Sequence, residues 1–107
     1  MVYVFKGYEV PRYWYAVAGG ARALGVDDSK VGLVKGAPAD LVSLDAKNPS
    51  LASRRGDALI DGWLFAARES PIDSVWRHGR KVVSEGAHVH RRQITTRYRA
   101  ALAKLMA

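Results

Sequence analysis

The stretch Gly36-Ala-Pro-Ala-Asp-Leu-Val-Ser-Leu-Asp45 decides how the rest of the chain is interpreted. It joins a Gly/Pro turn to a short aliphatic run at positions 41–44, and such a run between turn signals predicts a buried strand. Asp40 stands where this strand begins and is predicted to accept backbone N–H bonds there. Asp45 is predicted to shape the turn that follows. Both carboxylates are therefore interpreted as structural.

Further along, the sequence predicts a β-hairpin. Val75-Trp-Arg77 and Arg80-Lys-Val-Val83 are the two strands, and His78-Gly79 is the turn between them. Gly79 supplies the positive φ that a tight turn needs. Gly86 marks a second turn, after which residues 87–90 are expected to form a short third strand.

A helix is predicted near each end of the chain. Pro11 can occupy the first turn of the first helix, and Gly25 can end it in a left-handed conformation. Gly19 and Gly20, in mid-helix, cost up to about 1 kcal/mol each relative to Ala, which suggests that another backbone approaches this face closely. From Arg91 to Met106, apolar side chains recur at helical spacing and predict an amphipathic helix.

The middle of the chain is less clear. Asp57 is expected to cap a short helix from Ala58 to about Ala67, with a strand as the alternative because Gly62 weakens a helix. Asp61 is interpreted as a surface residue, and Arg54-Arg55 as part of an exposed loop. Three aromatic side chains are expected to anchor the core: Trp63, Phe65 and Trp76.

Composition narrows the class of protein. A chain of 107 residues is long enough for one domain. It contains no cysteine, which excludes disulfides and thiolate metal sites. No apolar run is long enough to span a bilayer, and the start does not read as a signal peptide, so a cytoplasmic protein without a membrane partner is expected.

The net charge of +7 is concentrated at one end. Residues 77–107 contain eight Lys or Arg and only Glu85 as an acid, whereas the charges of the preceding residues cancel. A basic segment can attract nucleic acid. However, Tyr98 is the sole aromatic residue in the basic helix, and stacking aromatics would be expected at such a site. We therefore interpret the charge as a solvated surface and do not expect a nucleic-acid partner.

Three segments in order resemble the amidohydrolase superfamily. The stretch 36–45, with Leu33 ahead of it, is similar to the family's Gly-x-x-Ala-Asp-Leu-hydrophobic-x-hydrophobic-Asp segment, which enters a small β-sandwich beside the catalytic barrel. The segment Val75–Gly86 resembles the hairpin that closes the same sandwich. Ala18–Gly25 resembles the last barrel helix. The resemblance implies membership of this superfamily.

The implied fold is α+β, a partial β-sandwich with a helix at each end. Residues 1–26 would comprise a divergent start and a remnant of the last barrel helix. Residues 27–107 would form the C-terminal part of the β-sandwich domain with its terminal helix. The resemblance extends from about Ala16 to the C-terminus, and residues 1–14 depart from the family pattern.

A narrower resemblance lies in Asn48–Ala66, which contains Gly-Asp-Ala-Leu followed by Trp-Leu-Phe-Ala. This stretch is similar to the formimidoylglutamate deiminases. That family hydrolyses N-formimino-L-glutamate to N-formyl-L-glutamate and ammonia in histidine breakdown, with one catalytic metal, normally zinc. The resemblance therefore implies a hydrolase of C–N bonds other than peptide bonds.

The same resemblance implies that the chain is inactive alone. The family's metal ligands lie on barrel strands, and such a barrel needs roughly 200–250 residues. None of these positions maps onto this sequence, so we expect no catalytic, cofactor-binding or metal-binding residue, no bound zinc and no small-molecule substrate. His88-Val-His90 is formally a His-x-His pair, but it has no later His or carboxylate and is interpreted as two surface histidines. His78 is interpreted as a turn residue.

Partners follow from the strands that the family builds from its N-terminus. Without them, the segments Ala39–Asp45 and Val75–Ser84 are expected to have unpaired edges, which favour association. We expect a homo-oligomer through these edges, with Tyr3-Val-Phe5 as a possible substitute strand. Two alternatives remain open: a stand-alone interaction module that uses the exposed edge, and a basic nucleic-acid-binding protein.

Overall fold

The computed structural model describes residues 2–4 and 11–107. One strand precedes the first long helix, and the other four strands lie between that helix and the last one. The elements are β1 (Val2–Val4), α1 (Pro11–Ala23), β2 (Leu41–Asp45), α2 (Asp57–Asp61), β3 (Ile72–Arg77), β4 (Arg80–Ser84), β5 (Ala87–His88) and α3 (Arg91–Met106). No helix in this part of the chain is long and apolar enough to cross a membrane.

The strands form one antiparallel sheet in the order β1-β2-β3-β4-β5. In its centre, Val42 pairs with Val75, and Val75 pairs with Val83. The register shifts between Ser43 and Leu44 of β2, which indicates a bulge. An antiparallel sheet with helices agrees with the predicted α+β class. The described residues form a single sheet, so the sandwich stays a prediction.

The strand edges that were expected to be unpaired are paired in part. Residues 2–4 lie against residues 43–45 of β2, and β5 lies against Val83 and Ser84 of β4. The prediction of exposed edges at 39–45 and 75–84 is therefore wrong for 43–45, for β3 and for 83–84. Among the described strands, none pairs with the remaining outer edges at 41–42 and 80–81. The substitute strand was predicted at Tyr3–Phe5 and is found at Val2–Val4, while Phe5 lies outside the described residues.

Both hairpins have two-residue turns with positive φ at each position. His78 and Gly79 have φ of 48° and 75°, and Glu85 and Gly86 have φ of 51° and 72°. This is the type I′ geometry, which matches the right-handed twist of the flanking strands. The predicted hairpin is confirmed, and so is the role of His78 in its turn. The predicted third strand at 87–90 is shorter, since β5 ends at His88.

The core lies where the segment 49–66 covers the sheet. Leu44, Leu51 and Leu59 are almost fully buried, and Trp63 packs against them. The helix prediction for this segment is confirmed over Asp57–Asp61 and the strand alternative is wrong. Gly56 occupies the N-cap, and Asp57 makes no side-chain capping bond there, so the predicted cap is also wrong.

Gly62 is required by its surroundings. After α2, the chain widens into one π-helical turn over Gly62–Ala66. A Cβ atom on Gly62 would lie 2.6 Å from Cδ of Arg54 and 2.9 Å from the backbone oxygen of Ser50. The glycine that weakens this helix on propensity grounds therefore permits the Arg54 side chain to lie across it.

Both terminal helices form as predicted, but they make fewer contacts with the rest of the described chain than expected. Gly25, with φ of 70°, follows the end of α1 as predicted. Among residues 2–4 and 11–107, Cβ atoms on Gly19 and Gly20 would meet nothing within 4 Å, so this part of the chain does not show the expected close approach of another backbone. Helix α3 has the predicted amphipathic pattern, but none of its side chains is buried.

Candidate functional site

A groove of about 690 Å³ lies between α1, the loop that follows it and the strands β2–β4. Val17 reaches it from α1, and Val31 and Leu33 from the loop. Its walls are mainly apolar, which is typical of a surface that binds another apolar surface or ligand. The strands and the segment after α2 contribute Leu41, Val42, Trp63, Val75, Trp76 and Val82.

The charged groups that line this groove balance. Asp27 and Asp40 are the acids, and Lys30 and Arg77 are the bases. Asp27 accepts hydrogen bonds from the hydroxyl of Ser29 at 2.7 Å and from its backbone N–H at 3.0 Å. These bonds hold the pKa of Asp27 below its ordinary value, because they favour the charged carboxylate.

Asp40 has a structural task at the rim. Its Oδ1 accepts the backbone N–H of His78 at 2.7 Å, and beside it the N–H of Gly79 donates to the oxygen of Ala39 at 2.8 Å. The tip of the β3–β4 hairpin is therefore tied to the start of β2. The prediction that Asp40 accepts a backbone N–H is confirmed, and the donor lies far along the chain.

A smaller polar cavity, of about 480 Å³, lies at the other end of β2 and contains three acids: Asp45, Asp73 and Glu85. Oδ1 of Asp45 accepts the backbone N–H of Lys47 at 2.9 Å, which confirms its predicted role in the turn. Oδ2 of Asp73 accepts the hydroxyl of Ser74 at 2.9 Å. Over residues 2–4 and 11–107, no group of three or more His, Cys, Asp or Glu is placed to hold a metal ion.

Two buried serines were not singled out from the sequence. Ser43 and Ser74 are 0% and 2% exposed, and they face each other across β2 and β3. The backbone N–H of Ser74 donates to Oγ of Ser43 at 3.1 Å, and this hydroxyl donates in turn to the Ser74 carbonyl at 3.4 Å. The pair bridges the sheet beside the bulge. The only signal in the sequence was a polar residue inside an aliphatic run.

The His-x-His pair does not form one face of a strand. His88 ends β5, whereas His90 is the N-cap residue of α3. Both side chains are exposed, their ring centroids lie 5.6 Å apart, and the backbone N–H of His90 donates to Nδ1 of His88 at 3.1 Å. One of the four ring nitrogens is therefore already committed to the turn between strand and helix.

The predictions for the remaining residues agree with the structure in some cases and not in others. Arg55 is exposed as expected, but Arg54 is half-buried and its Nε donates to the oxygen of Ser50 at 2.9 Å, so the exposed-loop prediction is wrong for Arg54. Among the aromatic residues, Trp63 joins the core, and half-buried Trp76 has Nζ of Lys81 5.0 Å from its ring centroid.

Phe65 is 75% exposed, so its prediction as a core anchor is wrong. It lies in the π-helical turn after α2. At 100° per residue, Phe65 lies about 240° around the axis from buried Leu59 and about 140° from buried Ile60, so regular spacing already directs it away from the core. Only its aromatic character suggested burial.

Comparisons with known proteins agree on one superfamily. No family model matches the chain. The Pseudomonas aeruginosa protein named formimidoylglutamate deiminase is 46% identical over 76 residues, which make up 71% of this chain and 16% of that protein. The crystal structure of an amidohydrolase from Brucella melitensis matches 86% of this chain with 41% identity and a TM-score of 0.70.

The chain corresponds to 19% of the Brucella protein's length, so it spans about a fifth of these relatives or less. Because the sequences are 41% identical and the backbones also match, the similarity extends beyond the fold. The chain belongs to the amidohydrolase superfamily, in a segment that it shares with formimidoylglutamate deiminase.

Proposed function

We propose that this chain is the C-terminal part of a formimidoylglutamate deiminase-type hydrolase and does not catalyse the reaction by itself. The observation that carries the proposal is the match to the Brucella amidohydrolase, which covers 86% of this chain but 19% of that protein. In this proposal, the polypeptide that would hold the reacting groups corresponds to the remaining four-fifths of the relative. The reaction would be hydrolysis of a C–N bond in N-formimino-L-glutamate.

Zinc, which the family uses, does not fit the side chains of this chain. A catalytic zinc site needs three protein ligands and an open position for water. His88 and His90 offer two rings, with one nitrogen engaged by a backbone N–H, and the described residues include no group of three suitable ligands. We therefore assign the metal to the rest of the fold and derive no step through it here.

The oxygen groups of this segment support a structural role. Asp40 and Asp45 accept backbone N–H groups, and Asp73 accepts the Ser74 hydroxyl. A general base has to reach a substrate or nucleophile proton, and each of these carboxylates instead fixes a turn or a strand pair. Ser43 is fully buried, so its hydroxyl is closed to a substrate.

We further propose that the sheet is one part of a β-sandwich. The groove lies on one side of this sheet, and in a complete enzyme more of the fold would pack there. Residues 1–26 would then be a divergent start with the remnant of a barrel helix, and 27–107 the sandwich segment. A cytoplasmic location fits this proposal, since the chain contains no cysteine that could form a disulfide.

Two assays test the proposal. First, the purified chain is incubated with zinc and N-formimino-L-glutamate, with the Pseudomonas aeruginosa enzyme as positive control. We expect ammonia release from the control alone, and release by the isolated chain would overturn the proposal that it is inactive.

Second, the matching 76-residue segment of the Pseudomonas aeruginosa enzyme is replaced by that of this chain. We expect the hybrid to fold, to bind zinc and to keep activity within about tenfold, a loss of no more than ~1.4 kcal/mol in transition-state stabilisation. A hybrid with Gly62→Ala, which should be less stable because the methyl group overpacks against Arg54 and Ser50, serves as the matched control for the fit of the segment. A hybrid that folds and binds zinc but has lost activity would contradict the assignment to this deiminase type.

A further inference from the structure

Helix α3 presents an apolar stripe to solvent. Ile94, Tyr98, Leu102 and Leu105 follow one another at i, i+4, i+8 and i+11, which places them on one side of a helix. They are 54%, 62%, 41% and 82% exposed. No side chain of the helix is buried, so this stripe has no cover within the described chain.

Positive charge borders the stripe on both sides. At 100° per residue, Arg92 and Arg99 lie along one border of the stripe, and Arg97 and Lys104 lie along the other. The helix contains no acidic residue. Two copies of α3 placed stripe to stripe would bring these cations together, so α3 is a poor partner for itself.

The groove has the opposite properties. It is an open space whose described lining is mainly apolar, and its charges are two acids and two bases. A cationic helix therefore meets no net repulsion there, and the carboxylates of Asp27 and Asp40 lie at the rim where an arginine could approach. The groove accepts apolar side chains, and α3 lacks a place to bury its own.

We propose that α3 of one copy docks, with its stripe inward, in the groove of a second copy. Every chain carries one groove and one stripe, so reciprocal exchange covers both and yields a closed twofold dimer. A 16-residue helix is about 24 Å long, and a footprint about 10 Å wide buries roughly 500 Å² counting both surfaces. Two such contacts reach about 1,000 Å², the lower limit for a specific interface.

This dimer differs from the one expected from the sequence, since it uses a helix and a groove and no strand edge. It concerns this chain by itself: in a complete enzyme, the part of the fold proposed to pack in the groove would take the place of α3. The outcome of the hybrid assay does not alter the surfaces that carry the dimer, and the outcome of the association assay does not alter the family match.

Sedimentation velocity across a micromolar concentration series tests the dimer. We expect wild-type chain to self-associate and Leu102→Asp to be monomeric. Ala100→Asp places the same charge on the opposite side of α3 and should leave the association unchanged. On the groove side, Val31→Asp should abolish association, while Val34→Asp, on a loop residue outside the groove lining, should not.

Circular dichroism confirms that each variant is folded. A wild-type chain that stays monomeric at every concentration would overturn the proposal, and so would a dimer that is insensitive to Leu102→Asp.

Cross-linking tests which surfaces meet. Because the chain contains no cysteine, each introduced thiol is unique. A Leu102→Cys chain and a Val31→Cys chain are mixed and oxidised, and we expect a mixed disulfide dimer to predominate over either self-pair. Ala100→Cys replaces Leu102→Cys in the control and should not cross-link above background. Equal cross-linking by both thiols would contradict the docking of α3 in the groove.

Added salt separates this dimer from binding to an anionic partner. Two chains of net charge +7 repel each other over long range, and salt screens this repulsion, so self-association should tighten as ionic strength rises. Binding of the basic helix to nucleic acid would weaken instead. Loss of self-association with moderate salt would count against the apolar contact.

Discussion

Glu85 and His78 each precede a glycine in a turn that requires positive φ from both residues. This conformation costs an L-residue with a Cβ about 1–2 kcal/mol. Asn adopts it at a lower cost because its short side chain can hydrogen-bond to the nearby backbone. These positions therefore hold residues that are not the best for the backbone they adopt.

Glu85→Asn should stabilise the protein. We expect a gain of about 0.5–1 kcal/mol in the free energy of unfolding, because Asn-Gly is favoured in a type I′ turn. Urea unfolding measures it. Glu85→Gln removes the same charge without easing the backbone and serves as the control. An equal gain in both variants would assign the effect to charge.

Gly62→Ala should destabilise the protein. The new methyl group would lie 2.6 Å from the Arg54 side chain and 2.9 Å from the backbone oxygen of Ser50, which cannot move independently. Such overpacking costs about 1–3 kcal/mol. Gly20→Ala in α1 meets open space and should be neutral or stabilising by up to about 1 kcal/mol. Urea unfolding of both variants tests the contact at Gly62. An equal loss of unfolding free energy in Gly62→Ala and Gly20→Ala would contradict it.

Ser43→Ala should also destabilise, because it leaves the buried N–H of Ser74 without its acceptor. The expected loss is about 1–3 kcal/mol in the free energy of unfolding. Ser70→Ala removes an exposed hydroxyl with a long bond of 3.4 Å and should change little. Similar losses in both variants would show that the bridge between the strands is unimportant.

Among the elements, those defined by neighbouring residues were predicted well. The strand in 36–45, the hairpin around Gly79 and the helix from Arg91 all follow from short patterns of apolar and turn residues. Pairings between distant segments were missed or only suggested. Residues 2–4 lie beside 43–45, and nothing local to either segment fixes that register.

The same division holds for the groove. The sequence supplied its aliphatic strand residues but not the loop that faces them, since no periodic pattern predicts where residues 26–38 lie. The position of Phe65 was wrong for a different reason: its aromatic character suggested the core. Regular spacing places it about 240° around the axis from buried Leu59, on the exposed side of the helix.

Asp40→Ala tests how the hairpin is held. Without the carboxylate, the N–H of His78 loses its acceptor, and the hairpin tip is tied to β2 only through Gly79 and Ala39. We expect the amide of His78 to exchange with solvent at least about tenfold faster, while amides of β5 are unchanged. Uniform acceleration across the sheet would indicate global destabilisation.

At the scale of the whole molecule, folding and association use different residues. The core is formed by β2, the segment 49–66 and part of β3, and α3 lies outside it. Helix α3, which contains five Lys or Arg and no acidic residue, is thus attached to a sheet that does not depend on it.

Removal of residues 91–107 tests this separation. Since α3 buries no side chain, we expect the shortened chain to unfold at a monomer stability within about 0.5 kcal/mol of the full chain, as for surface changes. Sedimentation of the same sample should show no self-association. A shortened chain that fails to fold would show that α3 contributes to the core.

The pairing of residues 2–4 with β2 means that this short segment covers one edge of the sheet. A proteolytic cut that released it would expose part of a strand with three aliphatic residues, and an exposed strand can template fibril growth. The integrity of this segment would then set the shelf life of the purified protein, and thioflavin fluorescence during storage would follow the extent of its loss.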